Sequence, residues 1–333
     1  MKSGLIKIDV SGMSRTEWLA QRRKGLGGSD AAAALGISPW VSPLALYLDK
    51  TGQLPDQEET EALRIGRDLE EYVAKRFQEA SGYRVRKCNF LLKDPEHPFL
   101  HANIDREISG MDAGLECKTA SAFKSKMYRG GAFPDNYYLQ CVHYLSVTGM
   151  ARWFLAVLVM GVEFKVFLLT TQAEDEKPDF CESMVYVPPE EIAALRAGEM
   201  AFWQEHVEKG LPPQPDGSPS SADALQEAFP EDGDAAPMDM TLYRRELSEY
   251  MEAQARKKDA ETAFETAKQK LMQCMGDCAS GESEGYRVSY KTQKRQTFDW
   301  KALAKDQPAL NLAPYFRESL SRPLKVTPKT KEE

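Results

Sequence analysis

The chain has 333 residues, 42% hydrophobic and 28% charged, enough for one large domain with an appendage or for two modest domains. No apolar run approaches the roughly 18 residues of a membrane span, and the opening residues lack the apolar core of a signal peptide, so the expectation is a cytoplasmic protein with no membrane partner. The net charge of −8 is uneven, with 22 Lys and Arg against 20 Asp and Glu over residues 1–170, 5 against 19 over 171–250, and 16 against 12 over 251–333. The acidity is confined to the middle, so both ends stay available to phosphates and charge does not exclude a nucleic-acid partner.

In chain order, residues 59–81 read as a helix, with Leu63, Gly66, Val73 and Phe77 in steps of three, seven and four along one face. Residues 83–92 and 98–108 read as strands, Ser109 to Gly114 as a turn, and Leu115 to Ala120 as a further strand. A helix is expected from Asp135 to Gly149, a helix-stopping glycine. Strands follow at Arg152 to Met160 and Glu163 to Thr170, turning near Gly161, then a helix over 189–209. Leu211 to Pro237 is rich in Pro, Gly, Ser and Asp and reads as a linker. Asp239 to Met275 forms a long helical stretch, and Gly285 to Gln296 reads as a strand pair or one strand with a basic flank. The order is a mixed α/β domain, a linker and a smaller helix-led region.

The six cysteines, Cys88, Cys117, Cys141, Cys181, Cys274 and Cys278, include no Cys-x-x-Cys pair, so reduced thiols are expected rather than a zinc ribbon or a disulfide framework. Trp18, Trp40 and Trp153 read as packing residues. His101 and His143 are poor ligands for a hard cation, which prefers oxygen.

Acids carry the chemical signal. Glu70 falls on the apolar face of its helix, where a carboxylate is costly unless a cation or donors satisfy it; the position also fits a side chain at the edge of that face reaching water. In Leu100 to Asp105 apolar residues alternate with His101, Asn103 and Asp105, and in Leu115-Glu116-Cys117-Lys118 the Glu and Lys share one face. A short turn joins these strands, so Asp105 and Glu116 can converge. Two or three carboxylates around one point suit Mg²⁺, and such an ion lowers the pKa of water and neutralises charge on a phosphate. Lys118 beside it can stabilise developing negative charge. By spacing alone, these residues also fit a solvated strand face.

Glu70, Ile104-Asp105 and Glu116-Cys117-Lys118 resemble the PD-(D/E)XK nuclease signature, with Asn103-Ile104 where a proline is often found. Gly27 to Gly36 followed by Ser38-Pro39-Trp40, then Gly66 to Glu70, then Gln140-Cys141-Val142-His143-Tyr144, resemble in order the blocks of YqaJ-type viral recombinase nucleases, a group related to phage lambda-type exonuclease. The resemblance implies an α/β fold over residues 1–210, a restriction-endonuclease-like core with a mixed central sheet flanked by helices. A linker over 211–237 and a helix-led appendage over 238–333 would follow. It implies a Mg²⁺-dependent (alternatively Mn²⁺) 5′–3′ exonuclease acting on the ends of double-stranded DNA, with a structure-specific or other endonuclease of the same fold, or a non-catalytic DNA-binding scaffold on it, as the alternatives. One or two ions per site would be held by Glu70, Asp105, Glu116 and the Cys117 backbone carbonyl. Lys118 and Gln140 would join the acids in catalysis, Arg22 and Ser29 would bind the 5′-phosphate, and Tyr144 would lie on the substrate side. Physically, a Gly-rich turn exposing N–H groups beside an arginine suits an anion, and the same turn fits a plain helix cap. The resemblance further implies a phage or prophage origin, a single-strand annealing partner and a ring-like homo-oligomer. The tail from Gly285 to Lys291, with Lys294, Arg295 and Asp299, resembles the appendage of longer YqaJ proteins.

Overall fold

The computed structural model describes residues 2, 4–56, 59–232, 237–297, 299–307, 310–311 and 315. They fall into two compact units, divided after Phe229.

The first unit opens with β1 (Ile6–Asp9), α1 (Arg15–Arg23), α2 (Gly28–Ala34) and α3 (Pro43–Lys50), followed by the long α4 (Glu61–Ser81). Ser14 caps α1 in a reciprocal box with Glu17, Ser42 caps α3, and Thr60 caps α4, which stops at Gly82 with φ 74°. Next come β2 (Val85–Lys87), β3 (Phe90–Lys93), β4 (His101–Asn103), β5 (Arg106–Ile108) and β6 (Ala113–Ala120). Each of the two strands expected over 83–92 and 98–108 is thus broken in two. The first halves and second halves go to different sheets: β1, β3 and β4 form a small antiparallel sheet, while β2 and β5 join the main one. The break at Ile104-Asp105 is the useful one, since it leaves Asp105 outside either ladder.

The expected helix at Asp135 is α5 (Asp135–Thr148), closed by Gly149 at φ 64°. β7 (Arg152–Val159), β8 (Glu163–Thr170) and β9 (Ser183–Tyr186) complete a six-stranded sheet of order β2-β5-β6-β7-β8-β9. β6 and β7 run parallel, as do β8 and β9, and the other pairs are antiparallel. The short β9 carries too few alternating residues to stand out in the sequence. α6 (Pro189–Phe202) continues through a π-helical turn to Glu208, matching the expected helix over 189–209.

Both faces of the main sheet are buried. On β7, Trp153, Leu155, Val157 and Val159 join a core that also holds residues of α2, α3, α5 and α6. Phe154 and Ala156 join a second core with Val73 and Phe77 of α4. That two-sided burial is why Trp153 to Met160 reads as an unbroken apolar run. The result is a mixed central sheet flanked by helices. Leu63 departs from expectation: it is 56% exposed, and only Val73, Ala74 and Phe77 of α4 are buried.

The expected linker holds an element of its own. α7 (Pro219–Ala228) buries Ser221 and Ala224 and packs on α3, with Ser220 Oγ accepting from Ser42 N at 3.0 Å. The first unit therefore ends at Phe229 rather than near residue 210. Residues 233–236 of that linker lie outside the described residues.

In the second unit, a 3₁₀ turn at Met240–Tyr243 leads into α8 (Arg244–Met275), none of whose residues is buried. β10 (Ser280–Glu282) and β11 (Arg287–Ser289) form a hairpin a few residues before the expected strand pair, and Asp299 caps α9 (Trp300–Asp306). Among the described residues, no helix is long and apolar enough to cross a membrane.

Candidate active site

β6 outruns its neighbour. β5 pairs with it only at Arg106–Leu115 and Glu107–Gly114, so the edge beyond Leu115 has no strand beside it. Asp105, just before β5, fills part of that gap: its Oδ2 accepts from Cys117 N at 2.8 Å. The N–H and C=O of one strand residue point to the same side, so the Cys117 carbonyl faces this open edge as well.

Glu116 and Lys118, one pleat apart on β6, are joined at 2.6 Å between Nζ and Oε1. Gln140 of α5 donates to the same Oε1 at 2.7 Å and also to the Tyr144 hydroxyl at 2.9 Å. Glu116 Oε2 is buried with no hydrogen-bond partner. Glu70 reaches the cluster from α4, where its Oε1 accepts from Arg106 Nη1 at 2.5 Å. Arg106 also donates to the Asp105 carbonyl at 2.8 Å and to Glu71 at 2.8 Å.

The electrostatics follow from this crowding. Burial, then the charges of Glu116 and Glu70, push the Asp105 carboxyl well above the usual carboxylate range, against the pull of Lys118. Burial works against the Lys118 ammonium, but Glu116 and Asp105 outweigh it and hold the amine protonated beyond the ordinary lysine value. Among the described residues, no three His, Cys, Asp or Glu side chains are gathered as a metal site; Glu70 is turned to Arg106, and Glu116 to Lys118 and Gln140.

Beside the cluster lies the Gly-rich turn. Arg22 donates to Ser29 Oγ at 2.8 Å and lies over the Trp18 ring, and Ser29 is exposed. Asp30 accepts from Gly27 N at 2.9 Å and from the buried Lys50 at 2.7 Å. Burial opposes that carboxylate's charge, yet Lys50 and Arg22 outweigh burial and hold Asp30 well below its usual range. The turn sits directly on α5: a Cβ at Gly28 would lie 2.7 Å from the Tyr144 ring and 3.0 Å from Gln140 Cγ, so glycine is required there.

The structure thus brings Asp105, Glu116, Lys118 and Gln140 together with Glu70 at their margin, and sets Ser29, with Arg22 bonded to it, next to Gly28, which packs on Gln140. Tyr144 is buried behind Gln140, whose amide donates to its hydroxyl at 2.9 Å. The His143 ring is paired to Glu199 at 2.6 Å. Cys274 and Cys278 are exposed free thiols. Sequence reasoning missed Arg106, whose side chain is 4% exposed; an arginine two positions from both Ile104 and Ile108, in step with their alternation, is the sign of it. It missed Lys50 and Tyr137 too; Lys118 Nζ lies 5.3 Å from the centroid of the Tyr137 ring.

The family model of the YqaJ-like viral recombinase domain matches residues 17–151, the stretch that carries Arg22, Ser29, Glu70, Asp105, Glu116, Lys118 and Gln140. Among solved structures, an alkaline exonuclease from Laribacter hongkongensis is similar at 16% identity, over 59% of this chain and 94% of that one, with a TM-score of 0.47. A phage-related exonuclease from Haemophilus somnus is similar at 11% identity, over 56% and 96%, with a TM-score of 0.37. Likeness at that level assigns no activity. The match to the YqaJ protein of Bacillus subtilis (strain 168) is of another order, 35% identity over 301 residues and 89% of each chain. The chain belongs to the YqaJ family.

Proposed function

We propose that the protein is a metal-dependent DNA exonuclease that hydrolyses the 5′-ended strand of linear duplex and leaves 3′ single-stranded tails. One observation carries the reading: Asp105 and Glu116 meet an ammonium at an open strand edge with Glu70 at their margin, Glu116 Oε2 is buried without a partner, and burial, then the charges of Glu116 and Glu70, disfavour the Asp105 anion. Like charges so placed favour a divalent cation, and oxygen-only donors suit Mg²⁺, with Mn²⁺ as a substitute. Glu70, Asp105, Glu116 and the Cys117 carbonyl would hold it, with Glu70 released from Arg106. Once bound, such an ion supplies charge neutralisation at the phosphate and activation of the attacking water.

The protein's own groups do the rest. Lys118, bonded to Glu116, faces charge that builds on the phosphate and serves as an electrostatic stabiliser. Gln140 fixes the orientation of Glu116, and Arg106 holds Glu70 in reach. Arg22 and Ser29 would grip a terminal phosphate, the arginine offering two parallel donors. Their closeness to Gln140 through Gly28 supports cutting near an end. The 3′ tails left behind are what a strand-annealing protein binds, the partner this reading implies.

The test compares linear with covalently closed duplex. Linear DNA should be consumed and closed circles spared, and Glu116→Ala should abolish cutting while leaving the fold intact. Extensive cutting of closed circles, or full activity in Glu116→Ala, would contradict the proposal.

A further inference from the structure

Trp40 does not pack. Its indole is 64% exposed, and Lys124 Nζ lies 4.7 Å over the ring. Beside them opens a cleft of about 430 Å³, walled by Ile37, Met127, Phe133 and Asn136. That volume is in the range of roughly 300–1,000 Å³ that takes a small ring system. Tyr137 lines the cleft too, and its ring faces Lys118 of the cluster described above. The cleft and the candidate catalytic centre therefore share a side chain.

The segment from Ala122 to Gly131 that forms one wall is unusual in composition. It carries Lys124, Lys126 and Arg129, all exposed, together with Phe123 at 97% exposure. Asp135 is the single acid of the cleft. Exposed aromatic faces interleaved with cations are what a single nucleic-acid strand meets, since every base has a flat face and every linkage a negative charge. An apolar peptide would find cations where it needs apolar contact. The Asn136 amide adds a donor and an acceptor suited to a base edge.

We propose that this cleft takes an unpaired nucleobase of the DNA strand being cut, stacked on Trp40, with Lys124 at a neighbouring phosphate. The proposal rests on the nuclease reading and deepens it: a base in this cleft cannot remain paired in the duplex, so the end opens by at least one nucleotide as it is cut.

The experiment uses 5′-phosphorylated linear duplexes, each with one abasic residue at the first, second or third nucleotide of the 5′ end, cut by the native protein and by Trp40→Ala. At one position the native protein should lose on the order of tenfold in kcat/KM when the base is missing. Trp40→Ala should lose a similar factor on intact DNA and nothing more on that abasic duplex, and Trp40→Phe should recover most of the loss. Full activity of Trp40→Ala on intact DNA overturns the proposal. So does an equal further loss on the abasic duplex, which marks a merely structural role. Glu116→Gln separates the two claims. Cutting that survives this substitution sinks the nuclease reading itself, whereas cutting that it abolishes, yet that ignores Trp40, sinks only the stacking site.

Discussion

At the scale of single residues, Lys118 is the most exacting test of the site's chemistry. Its amine is tied to Glu116 at 2.6 Å, where the carboxylate is buried and the lysine half-buried. Lys118→Met should lower kcat by about 10²- to 10³-fold, the usual cost of losing one group aimed at developing charge. It should also lower stability by roughly 3–5 kcal/mol, because Glu116 is left as a buried acid without its cation. Steady-state kinetics and chemical denaturation measure the two effects separately; a variant that keeps its kcat removes Lys118 from the chemistry. That Asp105, Glu116 and Lys118 could meet was legible from alternation across a short turn. By spacing alone they fitted a solvated strand face equally well, and the resemblance singled them out. Arg106 was not legible, because a strand position says nothing of which helix will bring carboxylates to meet it. Trp40 was read as packing because exposure of an aromatic residue is settled by tertiary neighbours rather than by its own spacing.

At the scale of elements, one buried ion pair cross-braces the layers behind the site. His143 of α5 donates from Nδ1 to Glu199 of α6 at 2.6 Å and from Nε2 to the His101 carbonyl of β4 at 2.9 Å. Burial disfavours the charged ring, but Glu199 outweighs it and raises the His143 pKa above 6.5. The folded protein thus binds this proton more tightly than the unfolded chain does. The pair's contribution is complete below pH 6.5 and is lost as pH rises through the folded value. The thermal midpoint should fall over that window, and Glu199→Gln should flatten the dependence while costing about 3 kcal/mol on the acid side. A native-like pH profile in Glu199→Gln would remove the pair as the cause. By contrast, His101 next to it is pushed down to about 3 by burial and stays neutral. The elements themselves were largely legible where periodicity runs long, as in α4, α5, β7 and β8. The break of two expected strands into four was hidden, because each half keeps an apolar face and only pairing partners decide which sheet it joins.

At the scale of the whole molecule, both hydrophobic cores lie before residue 230, and α7 closes the first of them by packing Ala224 into it. A chain ending at Phe229 should therefore melt cooperatively and keep cutting DNA. One ending at Gly210 should melt lower, having lost the contacts of α7 with α3. A Phe229-terminated chain that fails to fold would show that the second unit is needed for stability. The acidic middle of the sequence explains why net charge was a poor guide: the excess of acids falls in residues 171–250, whereas residues 1–170, which carry the candidate site, hold 22 Lys and Arg against 20 Asp and Glu.

The central claim, a cation-dependent cut of one strand from its 5′ end, is tested most directly on linear duplex carrying a 5′-phosphate and a different label on each strand. With Mg²⁺ the 5′-ended strand should shorten while its complement survives as a 3′ tail, and with chelator both should remain whole. Cutting that persists without divalent cation, or loss of nucleotides from the 3′ end, would contradict the account.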